Sequence, residues 1–131
     1  MRILIVEDDV IGSKVLQQLL VEYGDCDVAL DGLEAVRAVD LSWKQGRPYD
    51  VMFLDIMMPN MSGHEALKII RDKERERGVS SSQEVKVVMT SALDDVKSVT
   101  QSFFQGGASA YLVKPIDRDK IIEELHKLGL V

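Results

Sequence analysis

The apolar positions of this chain follow two periods in turn, and each change of period marks a new element. Arg2 to Val6 is a short aliphatic run, read as a first strand, and it ends in Glu7-Asp8-Asp9. From Val10 to about Tyr23 apolar residues fall at Ile11, Val15, Leu16, Leu19, Leu20 and Tyr23, which is the spacing of one inward helix face. Gly24 is placed to end that helix. Cys26 to Leu30 reads as a second strand, with Val28 and Leu30 as its apolar positions. Asp31 and Glu34 form a capping-box pattern for a second helix, whose inner face is Ala35, Val36 and Val39 and which Gln45-Gly46-Arg47-Pro48 ends. Asp50 to Leu54 is a third strand, and its apolar run is too continuous for a strand with one wet face.

Ser62-Gly63-His64-Glu65 is another capping signal, opening a third helix with Ala66, Leu67 and Ile70 inward. Arg71 to Arg77 alternates basic with acidic residues and reads as a solvated helix face. After the polar loop Gly78 to Gln83, Val85 to Thr90 is a fourth strand, followed by Ser91. A fourth helix is expected over Asp94 to Gln105, stopped by Gly106-Gly107. Ser109 to Val113 is a fifth strand leading to Lys114-Pro115. Asp117 can cap a last helix with Ile121, Ile122, Leu125 and Leu128 inward and Gly129 after it. Five strands alternating with five helices predict a parallel sheet covered on both faces, in a doubly wound α/β domain spanning 1–131. Periodicity does not fix the strand order.

Composition narrows the function. The 131 residues suffice for one core, and 46% hydrophobic with 29% charged is ordinary for a water-soluble domain. A net charge of −6 argues against a general nucleic-acid or anionic-membrane binder. One cysteine, Cys26, excludes a disulfide framework, and it is expected to be a buried, apolar, unreactive residue. No stretch is long enough to span a bilayer and the N-terminus lacks a signal-peptide pattern, so a cytoplasmic location is expected.

In a parallel sheet each strand delivers its last residues to one edge, where open α/β sheets bind ligands. That edge receives Glu7 and Asp8, Asp55, Ser91 and Lys114. Two carboxylates about 4 Å apart repel by roughly 4 kcal/mol at an effective dielectric near 20, so the cluster needs a cation or a proton. Oxygen donors without His or Cys select Mg²⁺, Mn²⁺ or Ca²⁺ over zinc. With a lysine and a hydroxyl nearby, the parts suit phosphoryl transfer onto a carboxylate.

Four motifs carry a resemblance. Ile5-Val6-Glu7-Asp8-Asp9, Phe53-Leu54-Asp55-Ile56-Met57-Met58-Pro59 with Gly63, Thr90-Ser91-Ala92, and Ala110-Tyr111-Leu112-Val113-Lys114-Pro115 occur in order along nearly the whole chain. Together they resemble the receiver domain of two-component response regulators, the single-domain chemotaxis type in particular. The resemblance implies a flavodoxin-like receiver fold with sheet order 2-1-3-4-5. It implies Asp55 as phosphoacceptor, with Mg²⁺ held by Asp8, Asp55 and the Met57 backbone carbonyl and by Glu7 through water. It further implies Lys114 and Ser91 on the phosphoryl group, Tyr111 as an aromatic switch, and a cis Lys114–Pro115 bond. The implied partners are a sensor histidine kinase or histidine phosphotransfer protein upstream and a protein target downstream. The output face would be the fourth helix, fifth strand and fifth helix, on a monomer without direct contact to nucleic acid or membrane. With no output domain after Val131, the output is expected to pass through another protein unless the chain is a fragment of a longer regulator.

Two rivals are weighed against this phosphoacceptor that catalyses only its own phosphorylation and dephosphorylation. A phosphorylation-independent interaction module would lack Asp8, Asp55 or Lys114, and all are present. A Mg²⁺-dependent phosphohydrolase would need an acid two residues after the nucleophile, where Met57 stands. Asp9 is expected to be no more than a helix cap. His64 and His126 are expected on helix surfaces, Trp43 over the end of the second helix, and Met57-Met58 packing the loop.

Overall fold

The computed structural model describes residues 1–92 and 107–131. Its elements are β1 (Arg2–Val6), α1 (Val10–Leu20), β2 (Asp25–Ala29), α2 (Gly32–Lys44), β3 (Val51–Asp55), α3 (Gly63–Glu76), β4 (Lys86–Ser91), β5 (Ala110–Val113) and α4 (Arg118–Lys127). All neighbouring strands pair in parallel, in the order β2-β1-β3-β4-β5. The sheet order that periodicity left open is thus the one the resemblance implied. The helix expected over Asp94 to Gln105 lies outside the described residues. Among the described residues, no helix is long and apolar enough to cross a membrane.

Strand alternation divides the core into two layers. Ile3 and Ile5 of β1 and Val51 and Phe53 of β3 face Leu16 and Leu20 of α1 and Ile121 and Leu125 of α4. The intervening Leu4, Val6, Met52 and Leu54 face Ala35, Val36 and Val39 of α2 and Leu67 and Ile70 of α3. Each fully buried side chain of this size contributes roughly 1.5–3 kcal/mol against exposure. The helices start on the caps the sequence carries. Asp31 accepts from Glu34 N at 2.8 Å, Ser62 from Glu65 N at 3.2 Å and Asp117 from Lys120 N at 2.9 Å.

Several expectations are corrected. α1 ends at Leu20 with Val21 as its cap, and Gly24 serves another purpose: a Cβ there would lie 2.1 Å from the Met1 carbonyl oxygen. Ile11 and Val15 are 74% and 50% exposed, so the apolar arc of α1 is wider than the face the sheet covers. On β2 the buried residue is Ala29, while Val28 and Leu30 are exposed, because β2 is an edge strand. Cys26 is half-buried, although burial first, and the charges of Asp25 and Asp27 next, push its thiol pKa up and keep it unreactive. Ile122 and Leu128 are half-buried, whereas Ile121 and Leu125 are fully inside. Met58 packs into the core, but Met57 is 62% exposed and packs nothing down. Finally, Arg71 and Glu74 are buried, so the end of α3 is not a uniformly solvated face.

Candidate functional site

The strand order decides what meets at the carboxyl edge. β1 and β3 are neighbours, so the residues that follow or end them stand side by side. Asp55 is the last residue of β3, held in place as Ile56 N donates to Thr90 O at 3.0 Å. Glu7 N donates to Ala29 O at 3.1 Å, extending the β1 ladder by one residue. β4 ends at Ser91, and Lys114 N donates to Ser91 O at 2.7 Å as β5 leaves the sheet. Gly63 lets α3 begin against this corner: a Cβ there would lie 2.4 Å from Asp55 O and 2.9 Å from Ile56 Cα. The Lys114–Pro115 bond is cis, as expected.

Carboxylate oxygens of Glu7, Asp8 and Asp55 lie within 4.8 Å of one another. Glu7 and Asp55 are buried and Asp8 is exposed. Lys114 Nζ donates to Glu7 Oε2 at 2.8 Å and stands 3.7 Å from Asp55 Oδ1. Met57 N also approaches Asp55 Oδ1, at 3.3 Å. Asp9 turns away to cap α1, accepting from Ile11 N at 3.2 Å, while its own N–H donates to Glu7 Oε1.

The electrostatics follow from burial. Asp55 is pushed up to about 7, first by desolvation and then by the Glu7 charge, against the opposing pull of Lys114. Burial pulls the Lys114 pKa down, but its bond to Glu7 and the charge of Asp55 outweigh this, so the net shift is upward. A carboxylate that resists ionisation beside two other carboxylates is a site short of positive charge. Three oxygen donors without nitrogen or sulfur fit a hard divalent cation. The Ser91 hydroxyl is buried without a hydrogen-bond partner among the described residues, which leaves a donor free for an added acceptor. Tyr111, on β5, is 39% exposed.

Sequence reasoning placed Glu7, Asp8, Asp55, Ser91 and Lys114 at one edge, and the structure puts them there. It missed the pairing of Lys114 with Glu7, which depends on side-chain reach across β1, β3, β4 and β5. It also missed a cleft of about 220 Å³ running from Glu7 and Lys114 along Val15, Leu16 and Leu19 of α1 to Ile116. The unburied apolar residues of α1 were the available signal.

The profile of the response regulator receiver domain matches residues 3–126. Chemotaxis protein CheY of Treponema pallidum is 34% identical over 127 residues, covering 95% of this chain and 79% of that protein. Longer curated relatives match as well, and of the first of these the chain spans only 7% to 20% of the length. Among solved structures, the receiver domain of Ssk1 bound to the phosphotransfer protein Ypd1 of Saccharomyces cerevisiae superposes with a TM-score of 0.82 at 30% identity, over 98% of this chain and 88% of that one. A complex of CheX with CheY, BeF3 and Mg²⁺ from Borrelia burgdorferi gives the same TM-score and identity, over 98% of this chain and 89% of that chain. With the sheet order, the acid cluster and a family match over nearly its whole length, this chain belongs to the response regulator receiver domains.

Proposed function

We propose that Asp55 is the phosphoacceptor of a phosphorelay switch, and that Glu7, Asp8, Asp55 and the Met57 carbonyl hold Mg²⁺ beside it. The observation that carries this is the meeting of two other carboxylates, Glu7 and Asp8, and one ammonium, Lys114, with Asp55, the carboxylate that ends the central strand β3. A phosphohistidine of a kinase or phosphotransfer protein is the donor. An Asp55 carboxylate oxygen attacks phosphorus, the P–N bond breaks, and its electron pair stays on the imidazole nitrogen. Hydrolysis of the acyl phosphate by water returns the carboxylate, with inorganic phosphate and a proton.

The chain's own groups have distinct tasks. Lys114 needs only a short movement from Glu7 to reach a phosphoryl oxygen on Asp55. Ser91 supplies its unpartnered hydroxyl to another oxygen. The Met57 N–H already directed at Asp55 Oδ1 helps hold the nucleophile in register. When bound, Mg²⁺ neutralises charge on the carboxylates and the phosphoryl oxygens. Drawing Ser91 inward frees space for Tyr111, now at the surface, and so alters the face presented by β5 and α4 to a downstream protein.

The exposed Ile11 and Val15 of α1, with the cleft that runs from Val15 to Glu7 and Lys114, would give the donor an apolar seat. Labelling with acetyl phosphate tests the assignment: the wild-type chain should take up one phosphoryl group and Asp55→Asn none. Stoichiometric labelling of Asp55→Asn would reject it.

A further inference from the structure

The second half of α3 hides two charges within a stretch that is otherwise polar and largely exposed. The Arg71 and Glu74 side chains are 10% and 2% exposed and pair at 2.7 Å. Each also holds a separate strand entrance. Glu74 Oε2 accepts from Val85 N at 2.8 Å, one residue before β4. The Arg71 guanidinium donates from Nε and Nη2 to Gly107 O at 3.3 and 3.1 Å, just ahead of β5. Gly107 has φ +75, so its carbonyl is presented from a backbone shape few other residues adopt. Two residues on, Ser109 N donates to Val87 O at 2.8 Å and Ser109 Oγ accepts from Val87 N at 3.2 Å.

A buried Arg–Glu pair is a weak device for stability alone, since apolar side chains of similar volume often serve as well. Its advantage is direction: the planar guanidinium grips one carbonyl from two fixed N–H groups. Here the pair grips the residues ahead of β4 and of β5 at once. Their far ends carry Ser91 and Lys114, which are tied by Lys114 N to Ser91 O. β5 is only four residues long, so a shift at its entrance is carried to Lys114 with little slack.

We propose that Arg71 and Glu74 are positioning residues for the phosphoryl-binding half of the site: they place Lys114 and Ser91 over Asp55 by fixing the entrances of β5 and β4. Neither touches the reacting atoms. The carboxylates of the cluster lie after β1, at Glu7 and Asp8, and at the end of β3, at Asp55, on strands whose entrances neither residue grips. The inference rests on the reading of Asp55 as phosphoacceptor.

The test separates metal affinity from phosphoryl affinity, using beryllofluoride as the phosphoryl stand-in. Mg²⁺ binding is measured by calorimetry, and beryllofluoride binding at saturating Mg²⁺ by ¹⁹F NMR. Arg71→Lys keeps the charge but loses the fork. It should weaken beryllofluoride about tenfold, within the range by which remote residues modulate a site, without weakening Mg²⁺. Glu74→Gln keeps an acceptor for Val85 N and loosens the grip on Arg71, so it should show the same split with smaller amplitude, and it carries the test if Arg71→Lys does not fold. Equal weakening of both ligands, or wild-type affinity for both, overturns the positioning role. Failure of the wild-type chain itself to bind beryllofluoride strikes instead at the reading of Asp55.

Discussion

Replacing Lys114 with methionine should weaken the metal-free protein and tighten its hold on Mg²⁺. The Lys114 ammonium lies 2.8 Å from Glu7 Oε2 and 3.7 Å from Asp55 Oδ1, among the same oxygens that would receive a cation. At an effective dielectric near 20 these separations correspond to attractions of about 6 and about 4.5 kcal/mol. The Lys114 side chain is 38% exposed, so solvent screening removes much of that. An interaction between the exposed and the fully buried cases leaves about 2 kcal/mol. A Mg²⁺ ion held by Glu7 would have to displace the ammonium, and would bear that sum as a penalty.

Without the ammonium the penalty disappears. Mg²⁺ affinity of Lys114→Met should rise by up to roughly thirtyfold, from about 1.4 kcal/mol per tenfold. Calorimetric titration reads the affinity directly. Urea denaturation in EDTA should show the variant less stable by about 2 kcal/mol, and saturating Mg²⁺ should erase the deficit by mass action. Unchanged or weaker Mg²⁺ binding by a folded Lys114→Met would refute the competition, and with it the view that Lys114 acts as a tethered counterion between Glu7 and Asp55.

Asp55, pushed up to about 7 chiefly by burial, should make the metal-free protein pH-sensitive. An unfolded Asp titrates near about 3.9, so the folded state retains an extra proton between about pH 4 and 7, and stability falls as pH rises through that window by at most about 4 kcal/mol. Urea denaturation in EDTA at pH 5 and pH 8 should show this slope in wild type and a flatter one in Asp55→Asn; equal slopes would contradict it. Gly63→Ala puts a methyl group 2.4 Å from Asp55 O, against backbone that cannot swing aside. It should lower stability by about 1–3 kcal/mol and reduce Mg²⁺ affinity, as Asp55 is pushed from its place. Thermal melts and calorimetry check both, and wild-type values in each would show that the close approach is not kept in solution.

Local chemistry made much of this molecule legible. A cap needs only a side chain and the N–H two or three residues on, so Asp31, Ser62 and Asp117 start helices where the sequence indicates. Strands buried on both faces announce themselves by unbroken apolar runs, as at Val51 to Leu54. Readings that depended on how wide a face the neighbours cover went astray. Ile11 and Val15 belong to the apolar pattern of α1, yet the apolar residues of that helix buried in the core are Leu16 and Leu20, with Leu19 partly buried beside them. Arg71 and Glu74 erred the other way. They stand four and seven residues after Leu67, on the inner stripe of α3, and that spacing was the signal that both charges turn inward. Their mixed-charge neighbours concealed it.

The site itself divides along the strand order, and the division gives the predictions their independence. Every carboxylate of the cluster comes from the carboxyl ends of β1 and β3, the central pair, while the free hydroxyl and the ammonium come from β4 and β5 on one side. β2, at the opposite edge, adds no member to the carboxylate cluster. On the proposed function, a bound cation would read the position of β1 against β3, and a phosphoryl group would read in addition the position of β4 and β5. Among the described residues, the Lys114 side chain crosses the divide, bonded to the acid half while its backbone belongs to the other. On the same proposal, freeing it from Glu7 would be how filling the first half prepares the second. Lys114→Met should accordingly change both affinities in opposite senses, and Arg71→Lys should weaken the second without weakening the first.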